Sequence, residues 1–257
     1  MGRRGMTGYH RISAQALVRI LVVAMLFVVA GLADWSPLLA APQSSSESTG
    51  PVIVGRILYR GPVPAPTQLP VNRDADVCGV TISTASLSVD AGTYGLRNAV
   101  VHVDLSAGEV SGRTVLQSPA VVRNKDCRFH PHVAAAQMGD EVQIFNDDPV
   151  MHNTNIIVDN STALNVAMVA GGNPIKKRLK KAGLHLVKCN VHKFMQAYRV
   201  VFDDPYFDQT TETGQFSIAG VSPGTHRISV WHEILGVVEK EVQVPARGTV
   251  VVDLEYK

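Results

Sequence analysis

The segment Leu184-His-Leu-Val-Lys-Cys-Asn-Val-His-Lys-Phe-Met195 joins the pattern of a β-strand to three side chains that bind soft metal ions. Its apolar first half predicts a strand over Leu184–Cys189. The thiol of Cys189, the imidazole of His192 and the thioether of Met195 follow within seven residues. Sulfur ligands select soft metals, and an imidazole beside them suits copper. A chain that turns sharply after Cys189 brings His192 back to the same point, with Met195 as an axial cap.

This loop lacks a second imidazole, and His152 is well placed to supply it. The preceding segment Gly139–Pro149 reads as a turn, an alternating strand and a second turn. The amide of Asn153 is expected to hydrogen-bond the ligand loop and hold the two segments together. The sequence therefore predicts a site for one copper ion, with the ligands His152, Cys189, His192 and Met195.

Two other interpretations of these residues remain open. In the first, Cys189 is a buried apolar thiol, and His152 and His192 are hydrogen-bonded residues of the core. In the second, the ion is zinc, although zinc favours His, Cys and carboxylate ligands over a thioether such as Met195.

The chain beyond residue 50 has the pattern of an all-β protein. It shows little helical periodicity, and short apolar runs alternate with Gly, Pro, Asn and Asp, as in β-sandwiches and barrels. The predicted strands are Val52–Tyr59, Ala99–Leu105, Val115–Val122, His132–Ala136, Glu141–Phe145, Asn155–Val158, Leu184–Cys189, Ala197–Phe202, Gln215–Ile218, His226–Trp231, Val237–Val244 and Thr249–Glu255. We expect an arm with Cys78 over 41–95, one block over 96–202 and a smaller block over 203–257.

The segment Phe129–Phe202 resembles a cupredoxin, the plastocyanin and azurin class of blue-copper proteins. The matching residues are Phe129-His-Pro131, Gly139-Asp140, Asn146 and His152-Asn153, then Cys189, His192 and Met195. The His-x-x-Met spacing is shorter than in plastocyanin and is closer to that of the binuclear copper loop of cytochrome oxidase. That loop needs two cysteines, and this one has only Cys189, so one copper ion is expected.

The chain from about Val52 is also similar to bacterial exported proteins that join a cupredoxin-like domain to a carboxypeptidase-regulatory-like, transthyretin-type sandwich. The matching stretches are Asp76-Val-Cys-Gly79, Leu96-Arg-Asn-Ala-Val100, Cys127-Arg-Phe-His-Pro-His-Val133, Cys189–Tyr198, Thr211–Phe216, Pro223-Gly224 and Val230-Trp-His-Glu233. The resemblance implies a cupredoxin-type Greek-key sandwich over 96–202. It also implies a transthyretin-like sandwich over 203–257, completed by the strand near Val52. Lys193-Phe194 departs from the family's usual proline and aromatic pair.

The chain has three cysteines, an odd number for an exported protein. Cys189 lies among metal-ligand residue types, and the other two form an even pair. We therefore predict a disulfide between Cys78 and Cys127, with Cys189 left as a thiolate.

The first forty residues read as an export signal. A basic leader precedes an apolar run over 20–32, which is short for a membrane span, and small residues follow at Ala40-Ala41. We predict cleavage near Ala40 and a periplasmic or secreted protein without stable membrane insertion; an uncleaved membrane anchor is the alternative. Without the leader the formal net charge falls from +2 to −1. A near-neutral body gives no electrostatic reason to expect nucleic acid or an anionic membrane as a partner.

Electron transfer is the first function that this ligand set suggests. No open water position is implied, so we expect no enzymatic turnover. A redox protein such as a cytochrome is the expected partner. The basic run Lys176–Lys181 reads as a solvated loop; the alternative is that it steers an acidic redox partner, because it comes just before the ligand strand. The alternatives are a copper carrier or storage protein, and a non-metal adhesion or carbohydrate-binding module that rests on 203–257 alone.

Four further residues lie outside the predicted ligand set. His130 and His132 share a strand face, either as a partly exposed pair or as extra metal ligands. His185 is expected to be a packed polar side chain. Trp231, in Trp231-His-Glu233, is expected to pack against the neighbouring domain.

Overall fold

The structure is a computed structural model that describes residues 50–84, 87–105 and 120–257. The predicted leader over 1–40 and the start of the predicted strand Val115–Val122 lie outside these residues. The described residues form nineteen strands and a single four-residue helix, so the all-β prediction is confirmed. None of them belongs to a helix with the length and hydropathy needed to cross a bilayer.

The strands are numbered in chain order. They are β1 (Val52–Tyr59), β2 (Gln68–Pro70), β3 (Thr81–Ser83), β4 (Val100–Asp104), β5 (Ala120–Lys125), β6 (Arg128–His130), β7 (Val133–Gln137), β8 (Glu141–Asn146), β9 (His152–Val158), β10 (Ser161–Met168), β11 (Ile175–Arg178), β12 (Gly183–Lys188), β13 (Gln196–Phe202), β14 (Phe207–Gln209), β15 (Gln215–Ala219), β16 (Gly224–His232), β17 (Gly236–Val244), β18 (Thr249–Val251) and β19 (Leu254–Tyr256). The helix is α1 (Ala75–Cys78).

Residues 120–202 form a two-sheet unit, which we call the central sandwich. One sheet has the strand order β10-β9-β12-β13-β7 and the other β11-β8-β5-β6. Alternate residues of β8 and β9 are buried, as expected for strands with one face on a core. The core between the sheets includes Val122, Phe129, Ile144, Ile156 and Val187.

A second two-sheet unit, the flanking sandwich, is built from β1, β4 and β14–β19. Its sheets have the orders β15-β1-β18, with β19 also paired to β1, and β14-β4-β16-β17. Its core includes Ile53, Ile57, Val101 and Ile228. Gly55 permits the close packing of β1, because a Cβ atom there would lie 1.9 Å from a backbone oxygen of Val252.

The predicted block over 96–202 is wrong at its start. We expected the first strand of that block to belong to the central sandwich, but β4 pairs with β14 and β16 of the flanking sandwich. Val101 and Val103 fill the core of that unit. An alternating strand fits either core equally well, so the pattern alone does not show where it pairs. The central sandwich is consequently inserted between β4 and β14.

Besides the three-residue strand β6, two strands of the central sandwich were not predicted. Strand β10 alternates exposed and partly exposed residues, and it pairs along β9. Strand β11 takes up the first half of the basic run Lys176–Lys181, which we expected to be a loop, and it pairs antiparallel with β8. Both strands lie at sheet edges, where exposed polar and basic side chains are common.

The segment 67–84, part of the arm predicted over 41–95, packs against the central sandwich, and from here on "the arm" means these residues. It contains the β2–β3 hairpin and α1, and its residues Val71 and Ile82 join the central core. A disulfide links Cys78 at the end of α1 to Cys127, and Cys189 is a free, buried cysteine. The predicted cysteine pairing is therefore confirmed.

The two sandwiches meet through a small apolar cluster and a pair of stacked rings. Trp231 lies against Tyr198, with ring centroids 5.5 Å apart, and it packs on Val100, Val133 and Val200. This confirms the packing role predicted for Trp231. Nearby, the ring of His102 stacks on Phe202 with centroids 4.2 Å apart.

Candidate metal centre

The ligand loop between β12 and β13 is closed by its own backbone. The N–H of Cys189 donates to the carbonyl of Met195 (3.3 Å), and the N–H of Met195 donates to the carbonyl of His192 (2.9 Å). These bonds produce the predicted sharp turn after Cys189. The side chain of Met195 is buried in the same apolar cluster as Cys189.

His152 reaches this loop because it is the first residue of β9, which pairs with β12. The backbone N–H groups of Asn153 and His192 each donate to the Cys189 sulfur at 3.3 Å. Hydrogen bonds to a ligating sulfur are among the features that tune a copper site. The N–H of Asn190 also donates to the side-chain oxygen of Asn153 (3.2 Å), so Asn153 joins the two segments as predicted.

Three of the four predicted ligands meet at one point. The Nδ1 atoms of His152 and His192 are 3.0 Å apart, and the Cys189 sulfur is 4.0 Å from Nδ1 of His192. Ligand atoms of the three residues all lie within 4.8 Å of one another, and the residues are 0–3% exposed. Metal–nitrogen and metal–sulfur bonds of about 2.0 and 2.3 Å allow separations up to roughly 4.1 Å between two nitrogens and 4.4 Å between nitrogen and sulfur. Both of these separations fall within those limits.

A carboxylate holds the far nitrogen of each imidazole. Asp148 Oδ2 lies 2.7 Å from Nε2 of His152, and Asp74 Oδ2 lies 2.9 Å from Nε2 of His192. Asp148 also accepts the backbone N–H groups of Asp126 (2.7 Å) and Cys127 (2.9 Å), as expected of an ionised carboxylate. Ionised carboxylates only accept hydrogen bonds, so each Nε2 carries the proton.

This proton placement determines what the two facing Nδ1 atoms require. A neutral imidazole that is protonated on Nε2 has a lone pair on Nδ1. In His152 and His192 these lone pairs point at each other across 3.0 Å, which is repulsive unless a proton or a metal cation lies between them. Burial lowers the pKa of His152, and the hydrogen bond to Asp148 opposes that shift without cancelling it. Two facing nitrogen lone pairs beside a buried cysteine sulfur form a donor set that fits a metal cation.

Asp74 and Asp148 contact the two imidazole rings, and neither was predicted as a site residue. We expected Asp147-Asp148-Pro149 only to form a turn before His152. The turn does place the carboxylate four residues ahead of the histidine, on the side of Nε2. Asp74 lies in the arm, 118 residues before His192. The one sequence feature that relates it to the site is the nearby Cys78, whose disulfide to Cys127 fixes the arm to the central sandwich.

The arm closes the site above His192. The Cys78 sulfur lies 3.9 Å from Nε2 of His192, and His192 is 1% exposed. Beside this cover is a cleft of about 460 Å³, lined by Leu69, Pro70, Asn72, Arg73, Val191, His192, Lys193 and Phe194. Solvent therefore comes near the loop without reaching the ligand atoms.

The other histidines stay apart from the centre. His130 is exposed, and His132 pairs with Glu233 of the flanking sandwich (Nε2 to Oε1, 2.6 Å). Among the described residues, neither belongs to a cluster of three potential metal ligands. Nε2 of His185 donates to the carbonyl of Lys181 (2.8 Å), which confirms it as a packed polar residue.

No protein-family model matches the sequence, and a search of curated proteins finds no match. Solved structures with a partial likeness include a copper-containing nitrite reductase from Thermus scotoductus (18% identity, TM-score 0.30), of which the match spans 25% and of this chain 39%. A purple cupredoxin from Nitrosopumilus maritimus is 20% identical with a TM-score of 0.29, over 32% of this chain and 98% of that one. A reduced amicyanin variant is 17% identical with a TM-score of 0.30, over 39% and 98%.

Proposed function

We propose that this protein binds one copper ion through His152, Cys189, His192 and Met195 and carries electrons without enzymatic turnover. The observation that supports this most directly is the pair of Nδ1 atoms 3.0 Å apart, each on a ring whose Nε2 is committed to a carboxylate. A buried cysteine sulfur lies beside that pair. Together they form a donor set for a soft metal cation.

The chemistry of the donors favours copper over the other candidate ions. Two imidazole nitrogens and one thiolate are typical of copper electron-transfer centres, with a weak thioether as the additional ligand. Zinc would be expected to take a fourth His, Cys or carboxylate ligand in place of Met195. When bound, copper supplies a one-electron redox couple.

The chain's own residues hold the ligands in place from both sides. Asp148 and Asp74 fix the orientation of the two rings, and the N–H groups of Asn153 and His192 fix the position of the sulfur. Ligands restrained in this way move little when the charge of the ion changes. Small movement lowers the reorganisation that accompanies electron transfer.

Burial of the ligands favours electron transfer over a copper carrier. A carrier must release its ion to an acceptor, whereas His152, Cys189 and His192 are 0%, 3% and 1% exposed. An electron needs only a short path to the surface, and the cleft beside His192 and Phe194 offers one. We propose that a redox protein such as a cytochrome docks at this cleft.

An optical spectrum of the copper-loaded protein tests the proposal. We expect a visible thiolate-to-copper band that Cys189→Ser removes. His185→Gln, a change at a buried histidine outside the site, should keep the band. A colourless protein, or a band that survives in Cys189→Ser, would contradict the proposal. Reversible voltammetry supports electron transfer, whereas irreversible voltammetry with copper transfer to apo-acceptors supports the carrier.

The location and the second unit of the protein are also proposals. A disulfide such as Cys78–Cys127 persists in oxidising compartments, which supports an exported protein. We propose that the flanking sandwich is a carboxypeptidase-regulatory-like domain of the transthyretin type. Cell fractionation tests the first proposal, since recovery in the cytosol would contradict it.

A further inference from the structure

The disulfide lies on the opposite side of the imidazole pair from Cys189. Cys78 Sγ is 3.9 Å from Nε2 of His192, whereas Cys189 lies near the Nδ1 atoms. A second group of potential ligand atoms, from Cys127, Asp148 and His152, also lies within 4.8 Å of one another. Cys127 is fully buried and Asp148 is 7% exposed, so this side of the pair is also shielded from water.

Asp148 retains a free acceptor position in this group. An ionised carboxylate has about four lone-pair positions. Three are used, by the N–H groups of Asp126 and Cys127 and by Nε2–H of His152. Oδ2 faces both Cys127 and Nε2 of His152, so the remaining position is on Oδ1, and a cation bound there leaves the three hydrogen bonds intact.

The disulfide is accessible from outside through Cys78. This residue ends α1, a helix in which no residue is buried, and Cys78 itself is half-buried. An attacking dithiol would therefore meet Cys78, because Cys127 is enclosed in the core. Thiol–disulfide exchange depends on such access to one of the sulfurs.

We propose that reduction of the Cys78–Cys127 disulfide creates a second metal site, for Cu(I), formed by the two thiolates and the Asp148 carboxylate. An external dithiol supplies two electrons and two protons, the S–S bond breaks, and the reductant leaves as its own disulfide. Binding of the ion then releases the two thiol protons. His152 and His192 keep their protons on Nε2 and are not ligands of this second site.

The ligand set selects the ion. Thiolates bind Cu(I) and zinc strongly. Soft thiolates select Cu(I), whereas a structural zinc site is almost always four-coordinate and this group offers three ligands. The protein would thus hold an additional Cu(I) ion under reducing conditions. This inference goes beyond electron transfer at the first site and uses none of its sulfur ligands.

Copper stoichiometry separates the two sites. Protein reduced with a dithiol, then freed of it without oxygen, is titrated with Cu(I) against a chromophoric chelator, beside the oxidised protein. We expect one equivalent for the oxidised wild type and two for the reduced. The variant Cys189→Ser should bind none when oxidised and one when reduced. Cys78→Ser combined with Cys127→Ser should bind one in both states.

A further variant tests whether a folded site binds the second ion. An unfolded chain would bind Cu(I) through its thiols alone, without Asp148. In the Cys189→Ser background, where only the second site is expected to bind, we expect Asp148→Asn to weaken the single equivalent of the reduced protein by about 10- to 100-fold. Equal copper in oxidised and reduced wild type, or no effect of Asp148→Asn on that single equivalent, would overturn the second site. Failure of the first site would appear instead as oxidised wild type that binds no copper.

Discussion

Nδ1 of His152 lies 3.0 Å from Nδ1 of His192, on the ring edges that face away from the carboxylates of Asp148 and Asp74. Lone pairs on two facing nitrogens repel each other. A cation bound between them would remove that repulsion.

Copper is expected to stabilise the fold. A ligand that binds only the folded state adds about 2.7 kcal/mol when its free concentration is 100 times Kd. Differential scanning calorimetry with and without one equivalent of copper should show a higher Tm for the loaded protein. The variant His192→Ala should lose most of this increase, and an equal increase in wild type and variant would contradict the assigned ligands.

Removing the carboxylate behind a ligand should weaken the site without removing a ligand. We expect Asp148→Asn to lower copper affinity by about 10- to 100-fold, because the ring of His152 loses the acceptor that orients it. Asp147→Asn is the matched control, since Asp147 forms an exposed ion pair with Arg123, and such pairs contribute little. Chelator competition measures both, and equal losses of affinity would contradict the role of Asp148.

Stability should depend on pH through His102, which bridges the two sandwiches. Burial lowers the pKa of His102, but its bonds to Asp204 and Asp104, both 2.8 Å long, outweigh burial and raise it. Because folding raises the pKa of His102, protonated His102 stabilises the fold in full below the unfolded pKa of 6.5. This stabilisation is lost as the pH rises through the higher pKa of the folded state. Arg227 and Ser229 also contact Asp104, so they share the electrostatic environment of His102.

The difference in unfolding free energy between wild type and His102→Gln isolates this effect. The difference should be largest at acidic pH and shrink as the pH rises. Burial lowers the pKa values of His152, His185 and His232, so these residues act with the opposite sign and are present in both proteins. A difference that grows with pH would contradict the prediction.

Loss of the disulfide should destabilise the protein markedly. Cys78 and Cys127 are 49 residues apart, and a loop of that length corresponds to about 4 kcal/mol of chain entropy. The combined change Cys78→Ser and Cys127→Ser should lower the urea-derived unfolding free energy by that order. It should also speed release of copper to a chelator, because the arm over His192 loses its tether. Unchanged release would show that the arm does not control access.

The convergence of His152, Cys189 and His192 could be predicted from two short strands that each end in a recognisable turn. One strand and turn precede His152, and the other strand leads into the loop with Cys189 and His192. The positions of Asp74 and Asp148 could not, since a carboxylate in a turn has the same local pattern whether it faces water or a ring. Strand β4 was placed in the wrong sandwich for a related reason. The alternation of apolar and polar residues in β4 indicates that one face of the strand is buried, but it does not indicate which of the two cores that face enters.

The order of strands along the chain has a consequence for biosynthesis. Strands β1 and β4 precede the central sandwich, and β14–β19 follow it, so the flanking sandwich is discontinuous in sequence. On the ribosome, the loop with Cys189 and His192 emerges while β1 still lacks its partners β15, β18 and β19. A fragment cut at residue 203 would leave the C-terminal strands without the two that complete their sheets. Residues 120–202 form the segment that can be excised or transplanted without breaking a sheet.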